Sequence, residues 1–434
     1  MFTRRTFVKS AVYAGAGIFI VEPFLGPLTA LAHYMQPKGS DTGIERLFNH
    51  IYTMIQQNPD KYRMALNMQT LASLNIRCGN RQKGLGFLSE AIEMARKEKS
   101  HLKYASVLNS AVKIYYDIGE KVKAIETASE SFKILSRETN NESADIEIVD
   151  NAMMIDRLGD REKALWRLDE RYKNGFLTPS LAYAYADLGF YDKSMEVAHR
   201  ITHDMVKIRA MANIAELCAN KGEVEIALNI LSQAEALRSR LEQGRRSGVF
   251  VDITRAYAKL GDWDGAFIID PYAWNSEECY YWIATHAVNA GRMDVARKAT
   301  YPALADIRID DRWLTFSFTF PKAAGLFLSL GDPYNAAALL KRFMEYLEEN
   351  TRVPTYICVK EFSDSAAVFI KMGKQEEALH LLHRAFNKVA AEENVATKIG
   401  GLIKIAGVYV DNRLPVGDKE LAYAEGILAS CVKA

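Results

Sequence analysis

Small and apolar side chains return along this chain of 434 residues in one repeating phrase. It can be read in RLGDREKAL, DLGFYDKSM, NKGEVEIAL, KLGDWDGAF, NAGRMDVAR, SLGDPYNAA and KMGKQEEAL. Aligned on the glycine, ten units stand at Gly79, Gly119, Gly159, Gly189, Gly222, Gly261, Gly291, Gly331, Gly373 and Gly417. Five residues later comes a small side chain: Gly84, Ala124, Ala164, Ser194, Ala227, Ala266, Ala296, Ala336, Ala378 or Ala422. Seven residues earlier stands Ala72, Val112, Ala152, Ala182, Ala215, Thr254, Ala284, Ala324, Ala366 or Val410. Four residues earlier an aromatic recurs, at Tyr115, Tyr185, Tyr257, Phe327 and Phe369. A glycine after a helix can adopt the left-handed backbone that ends it. A small residue on each of two antiparallel helices lets their axes approach, and the aromatic fills the space beside that contact. Each unit is therefore helix, tight turn, helix. One pair cannot bury its apolar face alone, so the units must stack.

Two places depart from the rhythm. In 312–320, Leu314, Phe316, Phe318 and Phe320 alternate with polar residues, a period-two signal inside a frame that demands a helix. We expect a helix with a proline kink, Pro321 marking a possible true start. After Gly261, Ile269-Asp270-Pro271 cuts the second helix short. The last helix, Asp418–Val432, carries no polar cap and is expected to contact another chain or a copy of itself.

The phrase resembles the tetratricopeptide repeat family, in which a small residue, an aromatic, a turn glycine and a second-helix alanine hold these relative places. A further small residue twelve after the glycine is matched by Ala91, Ala234, Ala273, Ala303, Ala385 and Ala429. The family's unit-closing proline is absent. The glycine spacing runs from 30 to 44, against about 34 in the family, so the longer units are equally HEAT-like. The resemblance covers Tyr62 to the C-terminus and implies an all-α fold, a right-handed α-solenoid of about ten antiparallel helical hairpins. It also implies that first-helix side chains line a concave groove for peptides or partner helices. Six before the glycine, a groove position by that resemblance, stand Lys113, Tyr183, Glu216, Arg255 and Thr285; Tyr281 falls at another. The series Ser73, Lys113, Met153, Tyr183 does not reproduce the family's Lys/Asn carboxylate clamp.

The first 32 residues read differently. Thr3-Arg4-Arg5-Thr6-Phe7-Val8-Lys9 resembles the bacterial twin-arginine export motif, with Val8 in place of Leu. The apolar run Ala11–Val21 follows, and Ala30-Leu31-Ala32 offers a small-x-small cleavage pattern before His33. Arg4, Arg5, Phe7 and Lys9 are the expected export determinants, Ala30 and Ala32 the cleavage ones. The run is too short to span a bilayer and Glu22-Pro23 interrupts it. The domain plan is thus a signal peptide at 1–32, a linker and N-terminal helix at 33–61, and repeats at 62–434. The expected location is the periplasm, or the inner membrane's outer face if the signal stays uncleaved, with the Tat translocon as a partner during export.

Charge and chemistry change this picture little. There are 55 basic and 54 acidic residues; loss of Arg4, Arg5, Lys9 and Glu22 with the leader leaves 52 and 53. No global basic excess favours nucleic acid. Five scattered cysteines include no Cys-x-x-Cys pair, against a disulfide scaffold, c-type haem or Cys-rich zinc site. His199 and His203 are four apart on an expected second helix, but Arg200 stands where a catalytic zinc motif has Glu. His380 and His383 read as a surface pair. Phosphate-loop, dinucleotide and nucleophile-elbow motifs are absent. The acidic pairs Glu277-Glu278 and Asp310-Asp311 fall at expected helix starts, where negative charge favours the helix dipole.

The expectation is a non-enzymatic scaffold that binds protein or peptide partners, without cofactor or metal. One alternative is an accessory chaperone for a redox enzyme exported by the same route. Another is a polysaccharide-active α/α-toroid. A closed ring with an acidic cleft would favour that enzyme, an open superhelix the scaffold.

Overall fold

The structure is a computed structural model that describes residues 42–138, 142–241, 243–268, 276–304, 307, 309, 319–350 and 352–432. The export motif, the cleavage residues Ala30 and Ala32, and Asp310-Asp311 lie outside these. The described residues form 21 helices and no strand. A leading helix α1 (Thr42–Gln56) precedes ten hairpins. The first three are α2 (Lys61–Arg77) with α3 (Arg81–Arg96), α4 (His101–Asp117) with α5 (Lys121–Leu135), and α6 (Glu142–Arg157) with α7 (Arg161–Lys173). Next come α8 (Pro179–Asp187) with α9 (Tyr191–Arg200) and α10 (Asp204–Asn220) with α11 (Val224–Arg238). Then follow α12 (Gln243–Leu260) with α13 (Trp263–Ala266) and α14 (Ser276–Asn289) with α15 (Met293–Leu304). The last three are α16 (Phe320–Ser329) with α17 (Pro333–Glu349), α18 (Thr355–Lys371) with α19 (Gln375–Ala391), and α20 (Val395–Asn412) with α21 (Asp418–Val432).

The turns behave as the glycine pattern requires. Gly79, Gly119, Gly159, Gly189, Gly222, Gly261, Gly291, Gly331 and Gly373 all have positive φ. At Gly119, Glu120 N donates to Tyr115 O at 2.8 Å and Gly119 N to Tyr116 O at 3.0 Å, the paired bonds of a Schellman cap. Gly417 is a correction. The tenth turn is made by Arg413, at φ 52, with Leu414 N donating to Tyr409 O at 2.9 Å. Counted from Arg413, the seven-before and four-before places go to Ala406 and Tyr409, both buried, whereas Ala422 is exposed. Gly417 instead precedes α21 and donates its N–H to Glu420.

The small residues do what they were expected to do. Ala72, Ala152, Ala182 and Ala215 are fully buried, as are Ala124, Ala164, Ala227 and Ala336. In the first hairpin the contact is tight enough that a Cβ on Gly84 would come within 2.7 Å of the Ala72 carbonyl oxygen. The irregular segments resolve in part. Helix α16 starts at Phe320 with Pro321 in its first turn, and α13 is only four residues long. His199 and His203 do not share a helix: α9 ends at Arg200 and His203 caps α10. His383 is no plain surface residue either, since its Nε2 lies 2.7 Å from Glu420 Oε1.

Each first helix packs against the first helix of the next hairpin, from α2 through α20, and α20 packs back against α2. The repeats therefore close into a ring. Helix α1 completes the seam by packing on α20 and α21 through Leu47, Phe48, Ile51 and Ile55, all fully buried. The end expected to seek another chain is covered by this chain's own N-terminal helix. First helices touch all round while their second helices meet mainly the next hairpin's first helix, so the first helices form the inner layer. At an interhelical spacing of about 8–10 Å, ten helices enclose an opening on the order of 15–20 Å.

Candidate functional site on the inner face of the ring

Residues of one helix face recur every three or four positions, so the places two, six and nine before each turn look into the ring. The six-before register carries Lys113, Met153, Tyr183, Glu216 and Arg255 along one arc, then Thr285, Gly325, Ala367, Gly407 and Ser73 along the other. The fold thus brings Lys113, Tyr183, Glu216, Arg255 and Thr285 to one level of the inner wall. Tyr281 is the exception, and a correction. It lies ten before its turn, one residue round the helix, and is buried in the core against Trp282, with ring centroids 5.2 Å apart.

The polar centre of the wall spans α10, α12 and α14. Arg255 Nε donates to Glu216 Oε2 at 2.6 Å and its Nη2 to Asn213 Oδ1 at 2.7 Å. Asp252 Oδ1 lies 3.6 Å from Arg255 Nη2, and Asp252 Oδ2 lies 3.3 Å from Arg209 Nε. The Arg255 guanidinium also sits 5.4 Å from the Trp282 ring centroid, a cation–π distance. Burial works against the Arg255 charge, but Glu216 and Asp252 outweigh it and hold its pKa above the ordinary value. Burial pushes the Asp252 carboxyl up, opposed by Arg255 and Arg209. One helix on, His286 stacks on Trp282, and burial lowers its pKa to about 4.

A second cluster spans α4 and α6. Burial raises the Glu147 and Asp150 carboxyls; Lys113 opposes it at both, with Asn109 and Ser106 hydrogen bonds acting on Glu147 and Arg157 on Asp150. Asn109 Nδ2 donates to Glu147 Oε2 at 2.7 Å, and its Oδ1 accepts from Asn151 Nδ2 at 2.8 Å, tying this wall to the core. Asp117 is likewise raised by burial, with Arg157 and Lys113 opposing. Every raised carboxyl on this arc thus has a cation set against it. The ring is closed, as the toroid alternative required, but its inner wall alternates in charge.

Asp150, Asn213, Asp252, Asp364 and Lys404 were missed by the sequence reasoning. All stand nine before a turn, with Arg413 as the tenth. That second register, on the same helix face as the first, was the signal that could have found them. Among the described residues no group of three or more His, Cys, Asp and Glu side chains is placed to hold a metal ion. No described helix is long and apolar enough to cross a membrane.

The family model for anaphase-promoting complex subunit 5 matches residues 31–121 and 98–155, two overlapping segments in the first part of the chain. No curated protein matches. Among solved structures, the crystal structure of Ton1535 from Thermococcus onnurineus NA1 is 15% identical, with 77% of this chain and 98% of that one covered and a TM-score of 0.33. The APC/C hetero-tetramer Cut9-Hcn1 is 13% identical over 84% of this chain and 82% of that one, with a TM-score of 0.28. A circular tandem repeat protein with novel repeat topology is 13% identical over 91% and 97%, with a TM-score of 0.22. The tetratricopeptide-like helical-repeat fold is carried by the ten hairpins themselves.

Proposed function

We propose that the protein is an exported scaffold whose ring-shaped inner wall holds an extended or helical segment of a partner protein. The observation that carries this is the six-before register. It sets Lys113, Met153, Tyr183, Glu216 and Arg255 in succession on one arc, with Arg255 and Glu216 already paired across helices before any partner arrives. Pre-ordered polar groups beside an aromatic ring suit a peptide, because little side-chain freedom remains to be lost on binding. The small residues of the opposite arc leave room for the partner's backbone. A match to a model named for a complex subunit supports an assembly role. The leader's resemblance to twin-arginine signals supports export. The alternation of charge along the inner wall supports binding over glycan cleavage, which uses paired carboxylates free to exchange protons.

The test is photo-crosslinking in the native host. A photoreactive residue replacing Tyr183 on the inner wall is expected to capture a discrete partner, while the same residue at Trp166, 56% exposed, is not. Equal capture at both positions, or capture at Trp166 alone, would overturn the inner-wall reading. Replacing Arg4-Arg5 by Lys-Lys is expected to hold precursor in the cytoplasm; unchanged export would remove the twin-arginine part and leave the binding part standing.

A further inference from the structure

We infer that the seam of the ring holds a second site, for a small organic anion carrying phosphate or carboxylate groups. Where α20 lies between α2 and α18, their side chains line an open pocket of about 450 Å³. Small-molecule sites span roughly 300–1,000 Å³, so the space is of ligand size.

The charged side chains that line it are all basic. Arg63 from the first hairpin and Lys360 and Lys404 from the last two line it, and no carboxylate does. The acids that neutralise these cations stand outside the lining. Asp364 meets Lys404 at 2.6 Å and Lys360 at 3.3 Å. Glu361, only 1% exposed, meets Lys360 at 2.6 Å, and Asp60 lies 3.5 Å from Arg63. Burial would draw the Lys360 ammonium down, but Glu361 and Asp364 outweigh it and its pKa stands above the ordinary value. Lys360 therefore enters the site charged. One guanidinium and two ammonium groups facing a common space suit phosphate or carboxylate oxygens. Asn67 and Thr397 add polar groups to the lining, and Tyr356 an apolar surface for the rest of the ligand.

Gly400, inside α20, also lines the pocket and is exposed. A Cβ there would meet nothing within 4 Å, so packing does not demand a glycine, and a helix interior disfavours one. Its missing side chain leaves that side of the pocket open. Because Arg63 and Asn67 come from one end of the chain and Lys360 and Lys404 from the other, the site is complete only in the closed ring. Ligand binding and ring closure are then linked, and each stabilises the other.

The test is calorimetric titration of the full chain with inorganic pyrophosphate and with citrate, beside Lys404→Gln and Gly400→Leu. At least one anion is expected to bind saturably at one site and to raise the melting temperature as its concentration rises. Which of the two binds separates a phosphate from a carboxylate ligand. Lys404→Gln is expected to weaken binding about tenfold or more. Gly400→Leu, which puts a bulky side chain into the pocket's lining and suits a helix, is expected to weaken binding at least about tenfold while circular dichroism stays that of the parent. No saturable binding of either anion up to millimolar concentrations would overturn the inference. So would unchanged binding in a folded Gly400→Leu protein.

Discussion

At each turn of the ring, left-handed backbone falls on a single residue. Gly222, at φ +80 with nothing within 4 Å of an added Cβ, isolates that effect from packing. Gly222→Ala is expected to lower stability by about 1–2 kcal/mol through backbone strain alone. Arg413 already bears the strain, at φ 52, so Arg413→Gly is expected to raise stability by about 1 kcal/mol. Gly325 serves as the control, since it lies inside α16 with open space around it. Gly325→Ala should stabilise by roughly 0.5–1 kcal/mol. Urea unfolding of the three variants checks all three signs; a stable Gly222→Ala protein would show that the turns do not depend on glycine. The same residues explain how the tenth turn was misplaced. A cap without glycine leaves no glycine mark, and Gly417, four residues on, offered a false anchor. Ala406 and Tyr409 held the true frame all along, because packing constrains them whatever residue makes the turn.

Among the elements, α14 carries a titratable group that its neighbours keep neutral. His286 is lowered from 6.5 to about 4 by burial first, with Lys259 and Arg255 adding to that and Glu216 opposing. A histidine depressed in the fold binds its proton more readily once unfolded. The stability it supports is therefore whole above about pH 6.5 and is lost as the pH falls towards 4. Over that window the loss amounts to about 3 kcal/mol at most. Raised carboxyls such as Asp150 and Asp252 act in the opposite sense, so the comparison must be between proteins. His286→Phe, which keeps a ring against Trp282, is expected to flatten the fall in stability between pH 6.5 and 4 relative to the parent. Parallel stability–pH curves would show that His286 titrates normally. That Arg255 meets Trp282 was beyond the sequence, because the two sit on different hairpins whose relative rotation no local pattern encodes, whereas Trp282 and His286 are i,i+4 neighbours on α14. The six-before register was legible because it repeats with the turn. The nine-before register was equally periodic, but its residue types vary from Asp150 to Trp282 to Lys404 and hid the regularity.

At the scale of the whole molecule the decisive fact is closure, and it left no trace in the repeat pattern. Whether a solenoid ends as an open superhelix or a ring depends on small rotations summed over all its repeats. The spread of glycine spacings shows that these repeats are unequal. What holds the seam is apolar. Arg46 and His50 approach Glu425 at 3.5 and 3.6 Å, but such half-exposed pairs contribute about 1 kcal/mol or less. Phe48 on α1 is fully buried, and truncating a buried Phe costs about 3–5 kcal/mol. Phe48→Ala is therefore expected to loosen the seam before it unfolds the repeats. In small-angle scattering the radius of gyration should rise while helical circular dichroism is kept. Hydrogen exchange should quicken in α1, α20 and α21 and stay slow in α10 through α12, on the far side of the ring. If exchange instead quickened evenly round the ring, closure would be a property of every interface together, and α1 would be one more repeat rather than its latch.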